Sequence, residues 1–387
     1  MLSSAFILKL LRRFTVPKKY RYQTTPLENM TMKLLFAPTQ LGNLNLTNHV
    51  VMAPLTRSRA VGGIPNDLMA KYYGERAGAG LIITEGTSPS PNGLGYSRIP
   101  GLFSQEQVSG WKKVTDAVHA KGGHIFVQLM HTGRVSHSLN LPEGAQVLAP
   151  SAIAPAGQMW TDQQGLQPYP VPKEMTLADI ETAKNEYIKS AELAVQAGFD
   201  GVELHGANGY LIEQFLNPNV NKRTDAYGGT DEKRMRFVLD IAEAIVKKTG
   251  GARLGIRVSP YGAHGDTGLF DGIDAFYAVL AKKLSDLGLA YMHVVDHSAL
   301  GAPAVSLEVK RLIRENFKGT YILSGGYTAE TAERDLNEKL GDLVAFGRPF
   351  IANPDLVEKL KSGQPLRALI ADKLYTPGPE GYTEFPA

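Results

Sequence analysis

The chain contains no cysteine, and this absence excludes disulfide bonds, thiolate metal sites, thiol nucleophiles and iron–sulfur clusters. Its nine histidines show no H-E-x-x-H spacing, so the sequence predicts no metal site. No stretch approaches the roughly 18 uninterrupted apolar residues of a membrane helix, so we expect no membrane span. No strand-like run is followed by a G-x-G-x-x-G turn, which is the usual signal of a dinucleotide-binding fold.

The sequence has little excess charge, and that excess lies at one end. The net charge of the 387 residues is +3, but residues 1–31 hold six basic side chains and one acid and so contribute +5, which leaves −2 for the rest. A nucleic-acid-binding domain would carry a basic surface on its folded body. We therefore expect no nucleic-acid partner.

Residues 1–31 differ from the rest of the chain in being apolar and basic with almost no acid. This composition is typical of an organelle transit peptide. The alternative is a disordered or mis-started extension, with Met30 or Met32 as the working start. We expect a cytoplasmic protein, with the mitochondrion or the plastid as the alternative that a transit peptide would imply.

From about residue 48 onward, short apolar runs alternate with longer helical patterns. Eight such runs imply a parallel sheet closed into a (β/α)8 TIM barrel, formed by residues 32–387 as a single domain. A doubly wound sheet is the alternative, which the missing G-x-G-x-x-G turn disfavours. The predicted strands are Val50–Ala53, Leu81–Thr84, Ile125–Met130, Gly201–His205, Leu254–Ser259, Tyr291–Val295, Tyr321–Ser324 and Leu343–Phe346. The predicted helices include Glu106–Ala120, Leu177–Ala197, Asp231–Lys248, Ile273–Leu287 and Ala329–Leu340.

A long connection, residues 132–173, interrupts this alternation after the third strand and is rich in Pro, Gly, Ser and Gln. Loops of this length in a compact domain are usually functional or form a small subdomain. The connection leaves the carboxyl end of a strand, where barrels place their active sites. We therefore expect residues 132–173 to cover part of the cleft.

Three polar side chains, His205, Asn208 and Tyr210, follow the fourth predicted strand within six residues. His and Asn can both donate hydrogen bonds to a carbonyl oxygen and stabilise negative charge that develops on it. A tyrosine, with an ordinary pKa of about 10, keeps its proton at neutral pH and can act as a general acid. The alternative for His205 is a hydrogen-bonded structural histidine at the end of a strand.

Glycine-rich turns follow the seventh and eighth predicted strands, at Gly325, Gly326 and Gly347. In barrels these two turns commonly bind a phosphate, and Arg348 could grip it with two parallel hydrogen bonds. The alternative is that both are ordinary tight turns. The combination favours a phosphate-bearing ligand.

These residues lie within motifs that occur in the same order in a known family. The chain resembles the old yellow enzymes, FMN-dependent ene-reductases that include plant oxophytodienoate reductases and bacterial nitrate-ester reductases, from about residue 34 to residue 386. The motifs that carry the resemblance are Met52-Ala53-Pro54-Leu55-Thr56-Arg57, Gln128-Leu129-Met130-His131-Thr132-Gly133-Arg134, His205-Gly206-Ala207-Asn208-Gly209-Tyr210, Arg223-Thr224-Asp225-Ala226-Tyr227-Gly228-Gly229, Phe346-Gly347-Arg348 and Gly381-Tyr382.

The resemblance implies a tightly but non-covalently bound FMN. Thr56 would bond the flavin O4, while Gln128 and Arg257 would bond the pyrimidine edge, where a permanent positive charge stabilises the anionic reduced flavin. A buried ion pair is the alternative role of Arg257. The implied cofactor-binding residues are Pro54, Leu55, Thr56, Gly86, Gln128, Arg257, Ser324, Gly325, Gly326, Gly347 and Arg348.

The resemblance also implies the reaction. His205 and Asn208 would hold the carbonyl oxygen of an α,β-unsaturated substrate, so that hydride from flavin N5 reaches the β-carbon while Tyr210 protonates the α-carbon. Tyr382 would line the substrate pocket, as would Met130, which stands where many members carry Trp. NAD(P)H, with NADPH favoured, would act as a transient reductant in the same cleft, which gives ping-pong kinetics.

Other functions remain open at the level of sequence. The same cofactor chemistry serves nitro or nitrate-ester reduction, and a flavin-binding protein without significant turnover is a further alternative, although a retained Tyr210 argues against it. A phosphosugar-processing barrel would explain the glycine-rich turns but not Pro54-Leu55-Thr56, Gln128 and Arg257. We expect a small electrophilic alkene as the substrate and a monomer or homodimer as the assembly.

Overall fold

A computed structural model describes residues 34–385. The predicted N-terminal extension, residues 1–31, lies outside this range. Within it, no helix combines the length and apolar character that a membrane crossing requires.

The barrel is built from eight strands that are buried along nearly their whole length, because helices cover the outside of the sheet and side chains fill the inside. Short strands lie before the barrel and in the long connection. In chain order the strands are β1 (Thr39–Leu41), β2 (Leu44–Leu46), β3 (Val50–Met52), β4 (Leu81–Thr87), β5 (Ile125–Leu129), β6 (Leu148–Ala149), β7 (Gln158–Thr161), β8 (Gly165–Pro168), β9 (Lys173–Glu174), β10 (Gly201–Gly206), β11 (Leu254–Val258), β12 (Tyr291–Val295), β13 (Thr320–Ser324) and β14 (Leu343–Phe346).

The closed barrel runs in the order β10-β11-β12-β13-β14-β3-β4-β5, and every neighbouring pair is parallel. The last barrel strand closes on the first, with Phe346 opposite Met52. The predicted TIM barrel is therefore confirmed. Because all eight strands run in the same direction, their carboxyl ends meet at one face, where the side chains after each strand converge.

Amphipathic helices pack their apolar faces on this barrel. Helix α2 begins at a capping box in which Ser104 and Gln107 satisfy each other's backbone N–H groups, and Thr176 with Asp179 does the same for α3. The helices are α1 (Asp67–Gly74), α2 (Gln105–His119), α3 (Leu177–Gln196), α4 (Leu211–Leu216), α5 (Asp231–Thr249), α6 (Ile273–Asp286), α7 (Leu307–Asn316), α8 (Ala329–Asn337), α9 (Arg348–Ala352) and α10 (Leu356–Ser362).

The long connection after β5 has secondary structure of its own. Strands β7 and β8 form an antiparallel hairpin, while β6 pairs with β9 in parallel. From this connection Val135 and Met159 are buried in one apolar cluster with Met130 and Tyr210 of the barrel. The connection is thus held against the carboxyl face of the barrel.

Candidate active site

A cavity of about 1090 Å³ opens at the carboxyl ends of the barrel strands. It is large enough to hold both a cofactor and a small substrate, because ligand pockets usually measure about 300–1,000 Å³. Fifteen of the sixteen predicted site residues line it, and Tyr382 does not. Those that line it are Pro54, Leu55, Thr56, Gly86, Gln128, Met130, His205, Asn208, Tyr210, Arg257, Ser324, Gly325, Gly326, Gly347 and Arg348.

His205 presents a hydrogen-bond donor to this cavity. Its Nδ1 accepts a hydrogen bond of 3.3 Å from the backbone N–H of Ala207, so the neutral ring carries its proton on Nε2. Burial lowers the pKa of His205 well below its usual value, and the nearby positive charge of Arg257 acts in the same direction. The ring therefore stays neutral at physiological pH, with Nε2–H free to donate.

Asn208 is oriented by two contacts that fix its role as a donor. It has a left-handed backbone, with φ of 61°, and its N–H donates to the Ser259 hydroxyl at 2.9 Å. The His297 Nε2 lies 2.6 Å from the Asn208 Oδ1. Because Oδ1 accepts from His297, the Nδ2 amino group is left to donate to a ligand.

Tyr210 lies beside His205, and the two rings meet edge to face with centroids 4.9 Å apart. Its hydroxyl is hydrogen-bonded to the Tyr96 hydroxyl at 2.9 Å. Burial raises the pKa of Tyr210 to about 12, so the phenol is protonated across the physiological range. His205, Asn208 and Tyr210 thus place three hydrogen-bond donors at one wall of the cavity.

A buried polar layer lies beneath this wall, inside the barrel. The Gln128 Nε2 donates to the Glu203 carboxylate at 2.7 Å, and the His293 Nδ1 lies 2.9 Å from the other Glu203 oxygen. Since Glu203 engages the amino group of Gln128, the Gln128 carbonyl oxygen remains available to an N–H of a ligand. Burial lowers the pKa of Arg257, and the charge of Glu203 opposes that shift.

The opposite wall can hold a phosphate. Gly325 adopts a φ of 136°, and a Cβ there would come within 2.4 Å of the Asp296 carbonyl oxygen, so only glycine fits. Gly326 follows, also with positive φ. Arg348 begins helix α9 with its side chain exposed at this wall. Backbone N–H groups and a guanidinium that converge in this way suit a phosphate group.

These features fit FMN. The buried Arg257 Nε has no hydrogen-bond partner among the described residues, which is unusual for a buried donor unless a ligand satisfies it. Gly86, which lines the same cavity, permits the close approach of Met130, because a Cβ at this position would lie 2.5 Å from the Met130 sulfur. The donor set, the unsatisfied guanidinium and the glycine cradle together match an aromatic ring system that carries a phosphate.

Tyr382 was predicted to line the substrate pocket, and its position in the structure corrects this prediction. Its ring is fully buried and stacks on Tyr72, with centroids 4.0 Å apart and planes 7° apart. The guanidinium groups of Arg57 and Arg59 lie about 5 Å from the same ring. Tyr382 is therefore a packing residue, and Tyr375, seven positions earlier, is the tyrosine of this region that lines the cavity.

Tyr375 belongs to a segment, residues 366–382, that runs over the cavity and that we call the C-terminal strap. Three arginines hold the strap by its carbonyl groups: the buried Arg57 donates to Gly381 at 2.7 Å and the buried Arg59 to Leu374 at 2.6 Å, while the partly exposed Arg98 donates to Tyr375 at 2.7 Å. Strap residues line the cavity and residues 132–173 do not, while the capping role expected of residues 132–173 stays a prediction. The connection 132–173 instead packs behind Tyr210.

Three further residues that were not predicted from the sequence line the cavity: His264, His297 and Arg367. His297 follows directly on Asp296 at the end of β12, so its position after a barrel strand was a usable signal. His264 begins a short 3-10 helix and Arg367 lies in the strap, both farther from strand ends. Nothing in the local sequence marked them.

Residues 34–367 match the NADH:flavin oxidoreductase / NADH oxidase family. The chain is 40% identical to 12-oxophytodienoate reductase 7 of Oryza sativa subsp. japonica, over 91% of this chain and 94% of that protein. It is 37% identical to a probable flavin mononucleotide-dependent alkene reductase of Leishmania infantum, over 92% and 98% of the two chains. The structure matches an old yellow enzyme homologue from Zymomonas mobilis with a TM-score of 0.87 and 39% identity, covering 92% and 100%.

Fold, site and comparisons define a flavin-dependent oxidoreductase on a TIM barrel. The chain belongs to the NADH:flavin oxidoreductase / NADH oxidase family, that of the FMN-dependent old yellow enzymes. The resemblance read from the motifs is therefore confirmed.

The turn that carries Asn208 and Tyr210 is held by a buried carboxyl group, that of Glu213. The Gly209 N–H donates to the Glu213 Oε2 at 2.6 Å, and the Ser259 hydroxyl donates to the same carboxyl group at 3.1 Å. Because Ser259 also accepts from the Asn208 N–H, Glu213 stabilises the turn through two links. Burial raises the pKa of Glu213 to about 8.

This raised pKa predicts a pH-dependent stability. A glutamate in the unfolded chain titrates near 4.3, so between about pH 4.3 and 8 the folded protein binds the extra proton. The free energy of unfolding then falls as pH rises through this window, by at most about 1.4 kcal/mol per pH unit. We expect the Tm of Glu213→Gln to fall less than the Tm of the wild type when the pH is raised from 5 to 8. The exposed Glu232→Gln is the control, and an equal fall in Tm for Glu213→Gln would contradict the assignment.

Proposed function

We propose that this protein reduces the activated carbon–carbon double bond of α,β-unsaturated carbonyl compounds (enones, enals and quinones), with a nicotinamide nucleotide as reductant. The observation that carries the proposal is the convergence of His205, Asn208 and Tyr210 on the cavity that Gln128 and Arg257 also line. Two donors for an oxygen and one proton donor are what such a reduction requires.

Gln128, Arg257, Thr56 and the residues around Gly325 and Arg348 would hold FMN. FMN, when bound, would supply the hydride chemistry. The charge of Arg257 favours negative charge at the inner end of the cavity, while Gly325 and Arg348 accommodate the phosphate at the other end. The wall that bears His205 and Tyr210 adjoins Arg257, because strand β10 pairs with β11, and it is the proposed substrate side.

His205 and Asn208 act on the substrate carbonyl oxygen. The His205 Nε2–H and the Asn208 amino group are fixed by their own hydrogen bonds, to Ala207 and His297, before a substrate arrives. Donors that are oriented in advance stabilise negative charge that develops on the oxygen without a reorganisation cost. Polarisation of the carbonyl makes the β-carbon electrophilic.

Tyr210 provides the proton for the α-carbon. Its hydroxyl is protonated at neutral pH and borders the same cavity as the two oxygen donors. Removal of this proton would leave a phenolate, which the hydrogen bond from Tyr96 stabilises. Proton delivery by a positioned acid contributes about 10²–10⁴-fold to the rate of such a step.

The nicotinamide nucleotide is proposed to use the same cavity and to leave before the substrate enters, which gives ping-pong kinetics. We favour NADPH over NADH because Arg367 lines this cavity with an exposed side chain. A guanidinium of this kind suits a 2′-phosphate. The family description supports a nicotinamide reductant in general.

The visible spectrum tests the proposal directly. We expect a yellow purified protein that bleaches when NADPH is added without oxygen and regains its colour when cyclohexenone is titrated in. Equal amounts of NADH provide the comparison for the nucleotide preference. A protein that bleaches but is not reoxidised by any enone would overturn the proposed substrate class, and one that cannot take up FMN would overturn the cofactor assignment.

A further inference from the structure

A second and smaller cavity, of about 310 Å³, lies on the other side of Tyr210 from the main cavity. We propose that Tyr96, which lines this second cavity, relays protons from solvent to Tyr210 during turnover. The inference rests on the proposed role of Tyr210 as proton donor and adds the route by which Tyr210 is reprotonated.

The two tyrosines span the wall between the cavities. Tyr210 lines the large cavity and Tyr96 the small one. Their hydroxyl groups are hydrogen-bonded at 2.9 Å, and their rings meet edge to face at 86°. A hydroxyl both donates and accepts, so this contact can carry a proton from one side of the wall to the other.

A separate route is useful because a bound ligand would lie between Tyr210 and the solvent in the large cavity. Once a substrate contacts His205 and Asn208, the ligand itself separates Tyr210 from water in the large cavity. Elsewhere Tyr210 packs against apolar side chains, including Ile99, Val135 and Met159, which cannot donate a proton. The Tyr96 hydroxyl, which can donate or accept, contacts the Tyr210 hydroxyl from behind.

The second cavity connects Tyr96 to the protein surface. Its lining includes Gly62, Pro142, Asp162 and Gln163, all of which are exposed. A water molecule occupies about 30 Å³ in the liquid, so a cavity of this size has room for several. Polar groups at its rim, among them the ion pair of Arg98 with Asp162, suit a hydrated passage.

The acidities of the two groups agree with this direction of transfer. Burial raises the pKa of both phenols above the usual value, and the hydrogen bond from Tyr96 opposes that rise at Tyr210. Both groups are therefore protonated before turnover. When Tyr210 ionises, Tyr96 is the neighbour that donates to the new phenolate.

The proposed proton transfers balance. The O–H bond of Tyr210 breaks as a C–H bond forms at the substrate α-carbon. The Tyr96 proton then moves to the Tyr210 phenolate oxygen, and a water in the second cavity reprotonates Tyr96. The hydroxide that remains is neutralised by the bulk buffer. Each turnover thus takes one proton from solvent, which completes the two-electron reduction of the double bond.

Tyr96→Phe in the FMN-loaded protein tests the relay, since it keeps the ring and removes the hydroxyl. We expect reoxidation of the reduced protein by cyclohexenone to slow about 10- to 100-fold, the effect of losing one hydrogen bond to a charged group. Reduction by NADPH should be unchanged. In the wild type, a plot of the reoxidation rate against the D₂O fraction should be curved, because two protons move. In Tyr96→Phe the same plot should be linear, because only one proton moves. A purely structural change would not alter that shape.

Two further variants separate the relay from other effects. Tyr169→Phe is the matched control, because Tyr169 packs in the same cluster and should keep the wild-type rate and curvature. Leu139→Trp places a larger side chain in the second cavity, leaves both tyrosines in the sequence and should also slow reoxidation.

Wild-type rates and curvature in Tyr96→Phe would overturn the relay, and a wild-type rate in Leu139→Trp would overturn the entry of water through this cavity. If reoxidation is slow in Tyr210→Phe but has the wild-type rate in Tyr96→Phe, only the proposed relay is wrong. If both keep the wild-type rate, the proposed donor role of Tyr210 fails as well.

Discussion

Tyr210→Phe is expected to slow reoxidation of the reduced protein by cyclohexenone about 10²–10⁴-fold, the usual contribution of a general acid. Phenylalanine keeps the ring that packs against His205 and removes the hydroxyl that borders the cavity. Reduction by NADPH requires no proton from this residue and should be nearly unchanged. Anaerobic stopped-flow absorbance of the flavin measures the two half-reactions separately.

The contrast between the half-reactions is the internal control. A variant that is slow in both half-reactions, flavin reduction and flavin reoxidation, has lost its structure or its cofactor. The spectrum of the bound flavin would reveal this loss. Unchanged reoxidation with unchanged product would remove Tyr210 from the mechanism, and the proton would then have to come from water in the cavity.

Replacement of both His205 and Asn208 by alanine is expected to weaken phenol binding about 10²–10⁴-fold, since each lost hydrogen bond to a charged ligand oxygen costs about 1.5–3 kcal/mol. Both side chains line the cavity, and both are oriented as donors by their own partners. The measurement is a titration of the oxidised protein with a phenol, followed by the long-wavelength absorbance band of the complex.

The two single alanine variants are the matched controls for this prediction. Each should retain one donor and an intermediate affinity, because either donor alone still contacts the phenolate oxygen. If the double variant shows an undiminished band, the phenol binds elsewhere and the assignment of the oxygen-binding pair is wrong.

The barrel could be predicted from sequence because of how its strands are buried. A strand covered on both faces is a short continuous apolar run, and Leu254–Val258 and Tyr291–Val295 were visible for that reason. Strand β4 was predicted too short, since it continues through Glu85 to Thr87. Glu85 is fully buried as a polar partner of Tyr73 and the Arg57 backbone, which local hydropathy does not indicate.

The site residues that follow barrel strands could be found for a related reason. His205, Arg257 and Gly325 follow or end buried runs, and the barrel brings strand ends together. The role of Tyr382 could not be predicted, because what buries its ring is a set of groups near residues 57–72. Tyr375 and Tyr382 lie in the same tail, and only contacts across some 300 residues distinguish them.

The C-terminal strap has a consequence for how the protein acquires its cofactor. The strap is anchored by Arg57 and Arg59, which are separated from it by more than 300 residues, and barrel closure joins strand β14 to β3. During synthesis, at about 5–20 residues per second, the early strands emerge well before these partners exist. The cavity can therefore form only after nearly the whole barrel has left the ribosome. Capture of the flavin is then a late event in biogenesis, and until the strap docks Arg57 and Arg59 lack the carbonyl partners on which their burial depends.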